Sequence, residues 1–167
     1  MASIIEGLEH PFVFIAISAV SRIPEGFRTI HLSGEDLRTT VALMDAFATG
    51  FGFPGYFGRN WNALYDCLVD IDWLPPDGYM VMITEANAVL IDEPQHPEFG
   101  EPSELAVLLD TLCRAAEEWN AAVVEGQPWD RPGIPFHVVF EVGSHRVRTF
   151  EHRVAAAQRQ LPVVESM

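Results

Sequence analysis

The fold of this chain is decided at Phe53-Pro54-Gly55-Tyr56-Phe57-Gly58-Arg59-Asn60-Trp61-Asn62-Ala63-Leu64-Tyr65-Asp66-Cys67-Leu68. Pro54 fixes its own φ torsion and glycines follow it, so the stretch is expected to open as a turn. Apolar residues then recur at steps of three and four, the spacing of one buried helix face: Trp61, Leu64, Tyr65 and Leu68. Another face carries polar residues four apart: Asn62, Asp66 and Asp70. We therefore predict a helix from about Arg59 to Asp72 with an apolar back and an acidic front.

The sequence before this stretch predicts two strands and one helix. Residues 12–20 and 27–32 are rich in β-branched and aromatic side chains, as expected for buried strands, although periodicity alone does not exclude a short helix at 12–20. Ser33 is a suitable helix cap, with Asp36 three residues later as in a capping box. This helix is predicted to end at Thr49-Gly50 and to bury one face, formed by Leu37, Val41, Met44 and Ala48.

The sequence after this stretch predicts two more strands and two more helices. Residues 79–83 form an apolar run typical of a strand buried on both faces. Residues 86–103 contain several prolines and are expected to be an excursion that adds little to the core. Ser103 and Glu104 begin a helix with an apolar stripe, and residues 136–142 and the tail from Ser144 predict a final strand and a closing helix. The stripe consists of Leu105, Leu108, Leu109, Leu112, Ala116 and Trp119.

The order of these elements favours a parallel sheet with helical crossovers. With 167 residues, of which 49% are hydrophobic, the chain is long enough to bury a core. We predict an α/β fold in a single domain of residues 1–167.

Charge is distributed very unevenly. Ten basic residues, all of them Arg, stand against twenty-four acidic ones, for a formal net charge of −14. Between Asn62 and Glu125 fourteen acidic residues accompany the single Arg114, a local net charge of −13. Nucleic acid and anionic membranes require a cationic surface, so we expect neither as a direct partner. This acidic window is either an ordinary solvated surface or a negative face that steers a basic partner.

Cysteine usage and hydropathy predict a cytoplasmic location. Cys67 and Cys113 form no CxxC pair, which argues against a disulfide scaffold or a zinc site. The apolar run from Phe12 to Val20 has nine residues, whereas a membrane-spanning helix requires about 20. No export signal is recognisable at the N-terminus.

The sequence offers little for catalysis. It contains no nucleophile motif, and its six histidines lack metal-ligand spacing. Asp66, Asp70 and Asp72 are oxygen ligands of the kind hard cations accept, yet the calcium-loop pattern is absent. The glycine-rich loop 50–58 lacks the lysine of a phosphate-binding loop. We expect no metal, no cofactor and no enzymatic activity; an acidic hydrolase using Asp66 and Asp70 is the enzymatic alternative.

Recognition of a protein partner fits these residues better. Tyr56, Tyr65 and Trp73 belong to the residue types that dominate binding hot spots. Asp66 lies among them, and a carboxylate in that setting binds most strongly when Arg or His side chains surround it.

The motif Pro54-x-Tyr56-Phe57-Gly58-x-Asn60-x-x-Ala63-Leu64-x-Asp66-Cys67-Leu68 resembles the signature of the barstar family, intracellular inhibitors of a secreted ribonuclease. The resemblance runs without gaps from about Leu32 to Cys67 and more loosely to residues 136–142. It implies a small parallel β-sheet packed by helices. It also implies that the second helix and the loop before it cover the ribonuclease active site, with the Asp66 carboxylate in the place of an RNA phosphate. Tyr56, Gly58 and Asn60 fall on family contact positions, and Tyr65 stands where the family has a tryptophan.

The chain also departs from the family pattern. Asn62 stands where the family has a second interface aspartate, and Arg114 falls near an acidic contact position, which Glu117 one turn away is a candidate to replace. Relative to the family, the single domain carries an added N-terminal segment 1–26, the excursion 86–103 and a C-terminal tail 144–167.

The resulting prediction is a non-catalytic inhibitor or immunity protein that blocks the active site of a basic ribonuclease or related nuclease toxin. The alternative is a binding module of the same fold with a non-nuclease protein partner, which Asn62 and Arg114 keep open. The expected partner-binding residues are Tyr56, Gly58, Asn60, Asn62, Tyr65, Asp66, Asp70 and Trp73.

Overall fold

The structure is a computed structural model that describes residues 7–20, 22–71, 76–95 and 100–165. Five strands are present within these ranges: β1 (Val13–Ala16), β2 (Phe27–Ser33), β3 (Gly78–Thr84), β4 (Phe136–Glu141) and β5 (Val163–Val164). The helices are α1 (Thr40–Phe51), α2 (Trp61–Val69), α3 (Glu104–Asn120) and α4 (Val147–Ala156), with short 3-10 helices at Gly34–Leu37 and Ala86–Ala88.

All five strands form one parallel sheet in the order β2-β3-β4-β1-β5. Ile30 of β2 lies beside Val81 of β3, Val81 beside Val138 of β4, and Val138 beside Val13 of β1. The predicted α/β fold with a parallel sheet is confirmed. β1 lies between β4 and β5, so segments from both ends of the chain complete the sheet.

Alternate residues of the strands face two different apolar clusters. On one face Tyr79, Val81 and Ile83 pack in the large cluster that contains the buried side chains of all four helices. On the other face Met80 and Met82 pack in a smaller cluster with Phe14 and Val139. β3 is buried on both faces, as its apolar run predicts. Burial of each of these side chains contributes about 1.5–3 kcal/mol to the free energy of unfolding.

The predicted helix from Ser33 to Gly50 is divided in two. Ser33 caps the 3-10 helix, while the Thr39 side chain caps α1 by accepting from the Ala42 amide. The cause is a distant segment: the Leu37 carbonyl accepts from the Leu90 amide at 2.8 Å and the Arg38 carbonyl from the Asp92 amide at 3.2 Å. A continuous helix would need both carbonyls for its own hydrogen bonds.

The division also changes which α1 residues are buried. Val41, predicted to lie on the apolar face, is 72% exposed. The buried face consists of Leu43, Met44, Phe47 and Phe51. The helix runs through Gly50 and ends at Phe51, because Gly52 adopts a left-handed φ of 70° and donates back to the Ala48 carbonyl.

The prediction that residues 86–103 add little to the core is wrong for the start of this segment. Ala86, Ala88, Val89 and Leu90 are all buried. The guanidinium of Arg153 in α4 holds the segment in place, since it donates to the carbonyls of Asn87 and Val89 and to Oε1 of Gln95.

Other boundaries also differ from the prediction. The strand predicted at 12–20 is shorter, since β1 ends at Ala16. In the part of the chain that the structure describes, the last hydrogen bonds at this end run from the Ile17 amide to the Val164 carbonyl and from the Val142 amide to the Ala16 carbonyl. The closing helix is confirmed as α4, but β5 follows it, so residues 136–142 are not the final strand. The predicted stripe of α3 is confirmed, and all six of its side chains are buried.

Candidate functional site

A chain of aromatic rings holds the loop between α1 and α2. The ring centroids of Phe47 and Phe51 are 5.7 Å apart, those of Phe51 and Phe53 5.4 Å, and those of Phe53 and Phe57 5.0 Å. The Phe57 amide donates to the Pro54 carbonyl at 2.9 Å and closes a turn. Tyr56, at the tip of this turn, is left 85% exposed.

Gly58 and Asn60 shape the entry into α2. Asn60 Oδ1 accepts from the Ala63 amide at 2.9 Å and caps the helix, while its Nδ2 donates to the Gly58 carbonyl at 3.2 Å. A Cβ at Gly58 would lie 3.0 Å from Asn60 Nδ2, so a side chain there would disturb the cap. Both residues are exposed, and both have a structural role in addition to the partner contact predicted for them.

α2 is anchored at both ends, with its polar face outward. Trp61 Nε1 donates to Glu104 Oε2 at 2.8 Å near the start, and Trp119 Nε1 donates to the Leu68 carbonyl at 2.8 Å near the end. Leu64 and Leu68 are completely buried. The opposite face exposes the three residues that the spacing placed together: Asn62, Asp66 and Asp70.

The loop and the second half of α2 border a cavity of about 130 Å³ that is open to solvent. Among the predicted site residues, Tyr56, Asp66 and Asp70 line it together. Its remaining walls are Phe51, Gly52, Phe53, Pro54, Cys67 and Ile71. The sequence alone assigned no role to Phe53 or Cys67 here. The signal that points to Phe53 is the cluster of phenylalanines around it, since its ring contacts those of Phe51 and Phe57.

Cys67 reports the electrostatics of this cavity. Burial raises the pKa of the Cys67 thiol, and the negative charges of Asp66 and Asp70 raise it further. The thiol is therefore protonated at neutral pH. It lines the cavity as a packing group and is not activated as a nucleophile.

Tyr65 lies apart from this cavity, on the flank of α2 that faces α3. The guanidinium carbon of Arg114 is 4.3 Å from the centroid of its ring. Glu117 lines a different groove with Cys113, Phe12 and Leu161, on the side of α3 that faces the terminal segments.

Two predicted features have no structural description. Trp73 and Asp72 lie outside the described residues.

Among the residues that are described, no group of three or more His, Cys, Asp or Glu side chains is arranged to hold a metal ion. No helix in the described ranges combines the length and the apolarity needed to cross a membrane.

Comparison with known families gives a match that includes this whole site. The model of the family described as barstar, the barnase inhibitor, matches residues 27–141, more than half of the chain. The chain belongs to the barstar family. The match begins with β2 and ends with β4, so it contains α1, the loop, α2 and α3, whereas β1, α4 and β5 lie outside it. A comparison with curated proteins found no match.

Proposed function

We propose that this barstar-family protein is a non-catalytic inhibitor, or immunity protein, of a basic ribonuclease or related nuclease toxin. In this proposal α2 and the loop before it cover the active site of the enzyme. The Asp66 carboxylate takes the place of a substrate phosphate among the Arg and His side chains of the enzyme. The protein acts in the cytoplasm, where it protects the cell that produces the toxin.

One observation carries this proposal: Asp66 and Asp70 line a single cavity with the exposed ring of Tyr56. The cavity volume of about 130 Å³ equals that of about four water molecules, because each occupies about 30 Å³ in the liquid. This is enough space for one planar cationic group. A guanidinium bound there gains two carboxylates and an aromatic wall. Asp70 thus supplies a second negative charge on the face where Asn62 lacks one.

The electrostatics of the whole chain support a basic partner. The net charge of −14 lies almost entirely between Asn62 and Glu125, the part of the sequence that contains most of α2 and all of α3. A negative surface of this kind accelerates the encounter with a cationic enzyme and repels RNA. It gives no support to a direct nucleic-acid partner.

The decisive experiment is inhibition of ribonuclease activity by the wild-type protein and by Asp66→Ala. The enzymes are barnase and, if a gene next to that of this chain encodes a nuclease-domain protein, that protein as well. Asp66→Ala should raise the inhibition constant at least about thirtyfold, equivalent to about 2 kcal/mol, because it removes an anion from among desolvated cations. The barnase–barstar complex is itself a standard example of such hot spots, so this magnitude is carried over from known complexes.

Asp36→Ala is the matched control. Asp36 is an exposed carboxylate on the 3-10 helix outside the site, so its removal changes net charge equally and should leave inhibition within about twofold. Equal inhibition constants for wild type and Asp66→Ala would end the role proposed for Asp66. Generic ester, phosphate and glycoside substrates should show no turnover by the protein itself.

A second candidate is a binding module whose partner is not a nuclease. Arg114, held over Tyr65, places a positive charge beside the acidic face, and Asn62 leaves one position of that face uncharged. Absence of inhibition of both nucleases, together with an Asp66-dependent complex with another protein, would favour this candidate.

A further inference from the structure

A closed loop connects α3 to β4 and lies outside the features described so far. Val123 and Arg131 form an isolated antiparallel bridge, with amide-to-carbonyl distances of 2.9 and 3.1 Å. We call residues 123–131 the closed loop. Because its two ends pair with each other, its shape does not depend on a neighbouring strand.

The carboxylate of Asp130 fixes the interior of the closed loop. Its Oδ1 accepts from the amides of Glu125 at 2.9 Å and Gln127 at 3.2 Å, and its Oδ2 accepts from the amide of Gly126 at 2.9 Å. Gly126 has a φ of 73°, a conformation that favours glycine. The loop is therefore ordered by its own hydrogen bonds.

Arg131 ties the closed loop to the helices of the site. Its guanidinium donates to the carbonyls of Glu118, Trp119 and Ala121 at 3.1 to 3.2 Å, and its central carbon lies 4.6 Å from the centroid of the Trp119 ring. Trp119 in turn donates to the Leu68 carbonyl at the end of α2. A continuous series of contacts thus connects the closed loop to the helix that carries Asp66.

The closed loop exposes large apolar side chains. Trp129 is 62% exposed and Val124 is 83% exposed. The indole has a set orientation, because Trp129 Nε1 donates to Glu125 Oε2 at 2.9 Å. Tryptophan is rarely left in solvent, and it is enriched among hot-spot residues of interfaces. A loop that is already ordered loses little conformational entropy when it binds.

We propose that the closed loop is a second contact for the same basic nuclease that α2 binds, with Trp129 and Val124 entering an apolar recess of that enzyme. This inference rests on the proposed function. Two observations favour this partner. Arg131, at the end of the loop, and Leu68, near the end of α2, both contact Trp119. The carboxylate that accepts from the indole, Glu125, is exposed and suits a cationic rim. The one cation of the loop, Arg131, is engaged with carbonyl oxygens of α3.

Binding kinetics of single variants test this inference on the nuclease that the wild-type protein inhibits. Trp129→Ala should weaken binding at least about tenfold, mainly through faster dissociation, and Val124→Ser about threefold. Asp130→Ala should also weaken binding, because it removes the hydrogen bonds that order the loop. Val41→Ser is the matched control: Val41 is equally apolar and 72% exposed, but it lies on α1, so binding should stay within twofold.

The outcomes separate this inference from the proposed function. If Asp66→Ala weakens binding while Trp129→Ala and Val124→Ser match the wild type, the closed loop is not a contact and the proposed function stands. If Trp129→Ala weakens binding while Asp66→Ala does not, the loop is a contact of that nuclease and the role proposed for Asp66 is overturned. Trp129→Phe tests whether Trp129→Ala acts only by disturbing the fold of the loop. It keeps an aromatic ring at this position and should retain more of the binding than Trp129→Ala.

Discussion

The guanidinium of Arg114 lies over the ring of Tyr65, with its central carbon 4.3 Å from the ring centroid. This contact joins α3 to α2 at the edge of the candidate site. Arg114 is the single basic residue between Asn62 and Glu125, and no carboxylate in the described ranges forms a salt bridge with it. A positive charge is therefore held at a defined place on an otherwise acidic surface.

Arg114→Gln should accelerate association with a basic partner by roughly twofold at low ionic strength, because a rim charge changes association rates more than it changes dissociation rates. The difference should shrink in about 0.5 M salt, where screening shortens the range of the interaction. Arg114→Lys keeps the charge and should associate at the wild-type rate. Slower association of Arg114→Gln would instead mean that the partner presents an acidic group opposite Arg114. Stopped-flow measurements at two salt concentrations distinguish these results.

Glu104 joins three helices through one carboxylate oxygen. Its Oε2 accepts from Trp61 Nε1 at 2.8 Å and from Thr40 Oγ1 at 3.2 Å, and Glu104 also begins α3. Glu104→Ala should lower the free energy of unfolding by about 2 kcal/mol, since it leaves a half-buried indole donor without its charged acceptor. Urea unfolding measures this change. Glu101→Ala, at an exposed position just before α3, should change stability by less than about 0.5 kcal/mol; equal losses in the two variants would contradict the explanation.

The spacing of apolar residues along the sequence predicted those helices and strands in which the same residues are buried. The apolar run of β3, the stripe of α3 and the two faces of α2 all follow from side-chain periodicity, because periodicity reports which positions are buried. The exposed carboxylates of Asp66 and Asp70 were predicted in the same way.

Features that depend on distant residues were not predictable. The break before Thr39 exists because Leu90 and Asp92, some fifty residues later, occupy the carbonyls of Leu37 and Arg38. Likewise, β5 has two residues, too few for a recognisable pattern, and pairs only because β1 offers it a free edge. The cavity beside Asp66 also arises from a loop returning over a helix, a relationship that spacing along one helix does not contain.

The closed loop should depend on pH through Asp130. Its backbone hydrogen bond from Glu125, together with those from Gln127 and Gly126, holds the pKa of the Asp130 carboxyl below its ordinary value of 3.8, although desolvation opposes this shift. A lowered folded pKa means that the contribution of Asp130 is complete above the unfolded pKa and is lost as pH falls through the folded pKa.

NMR titration should therefore show the amide signals of Glu125, Gly126 and Gln127 unchanged from pH 7 to about pH 5, with a transition whose midpoint lies below 3.8. In Asp130→Asn the same amides should exchange faster with solvent already at pH 7, because a neutral amide oxygen accepts more weakly than a carboxylate. A midpoint above 3.8 would show that the hydrogen bonds do not stabilise the charged form.

Arg153 should be irreplaceable by lysine, although lysine keeps the charge. The three nitrogens of its guanidinium donate to three different acceptors: Gln95 Oε1 at 2.8 Å, the Asn87 carbonyl at 2.9 Å and the Val89 carbonyl at 2.7 Å. An ammonium group is too compact to span them. Burial lowers the pKa of Arg153, but an arginine stays charged across the neutral range, so these contacts persist there.

Arg153→Lys and Arg153→Met should each lower the free energy of unfolding by about 1–3 kcal/mol. Methionine donates to neither of the carbonyls of residues 87 and 89, and the compact ammonium of lysine cannot donate to both. Urea unfolding gives the size of the loss, and hydrogen exchange should place the new opening at residues 86–91. Arg148→Met, exposed on the same helix, should stay within about 0.5 kcal/mol of the wild type. Wild-type stability of Arg153→Lys would mean that charge alone, rather than the planar arrangement of donors, holds this segment against α4.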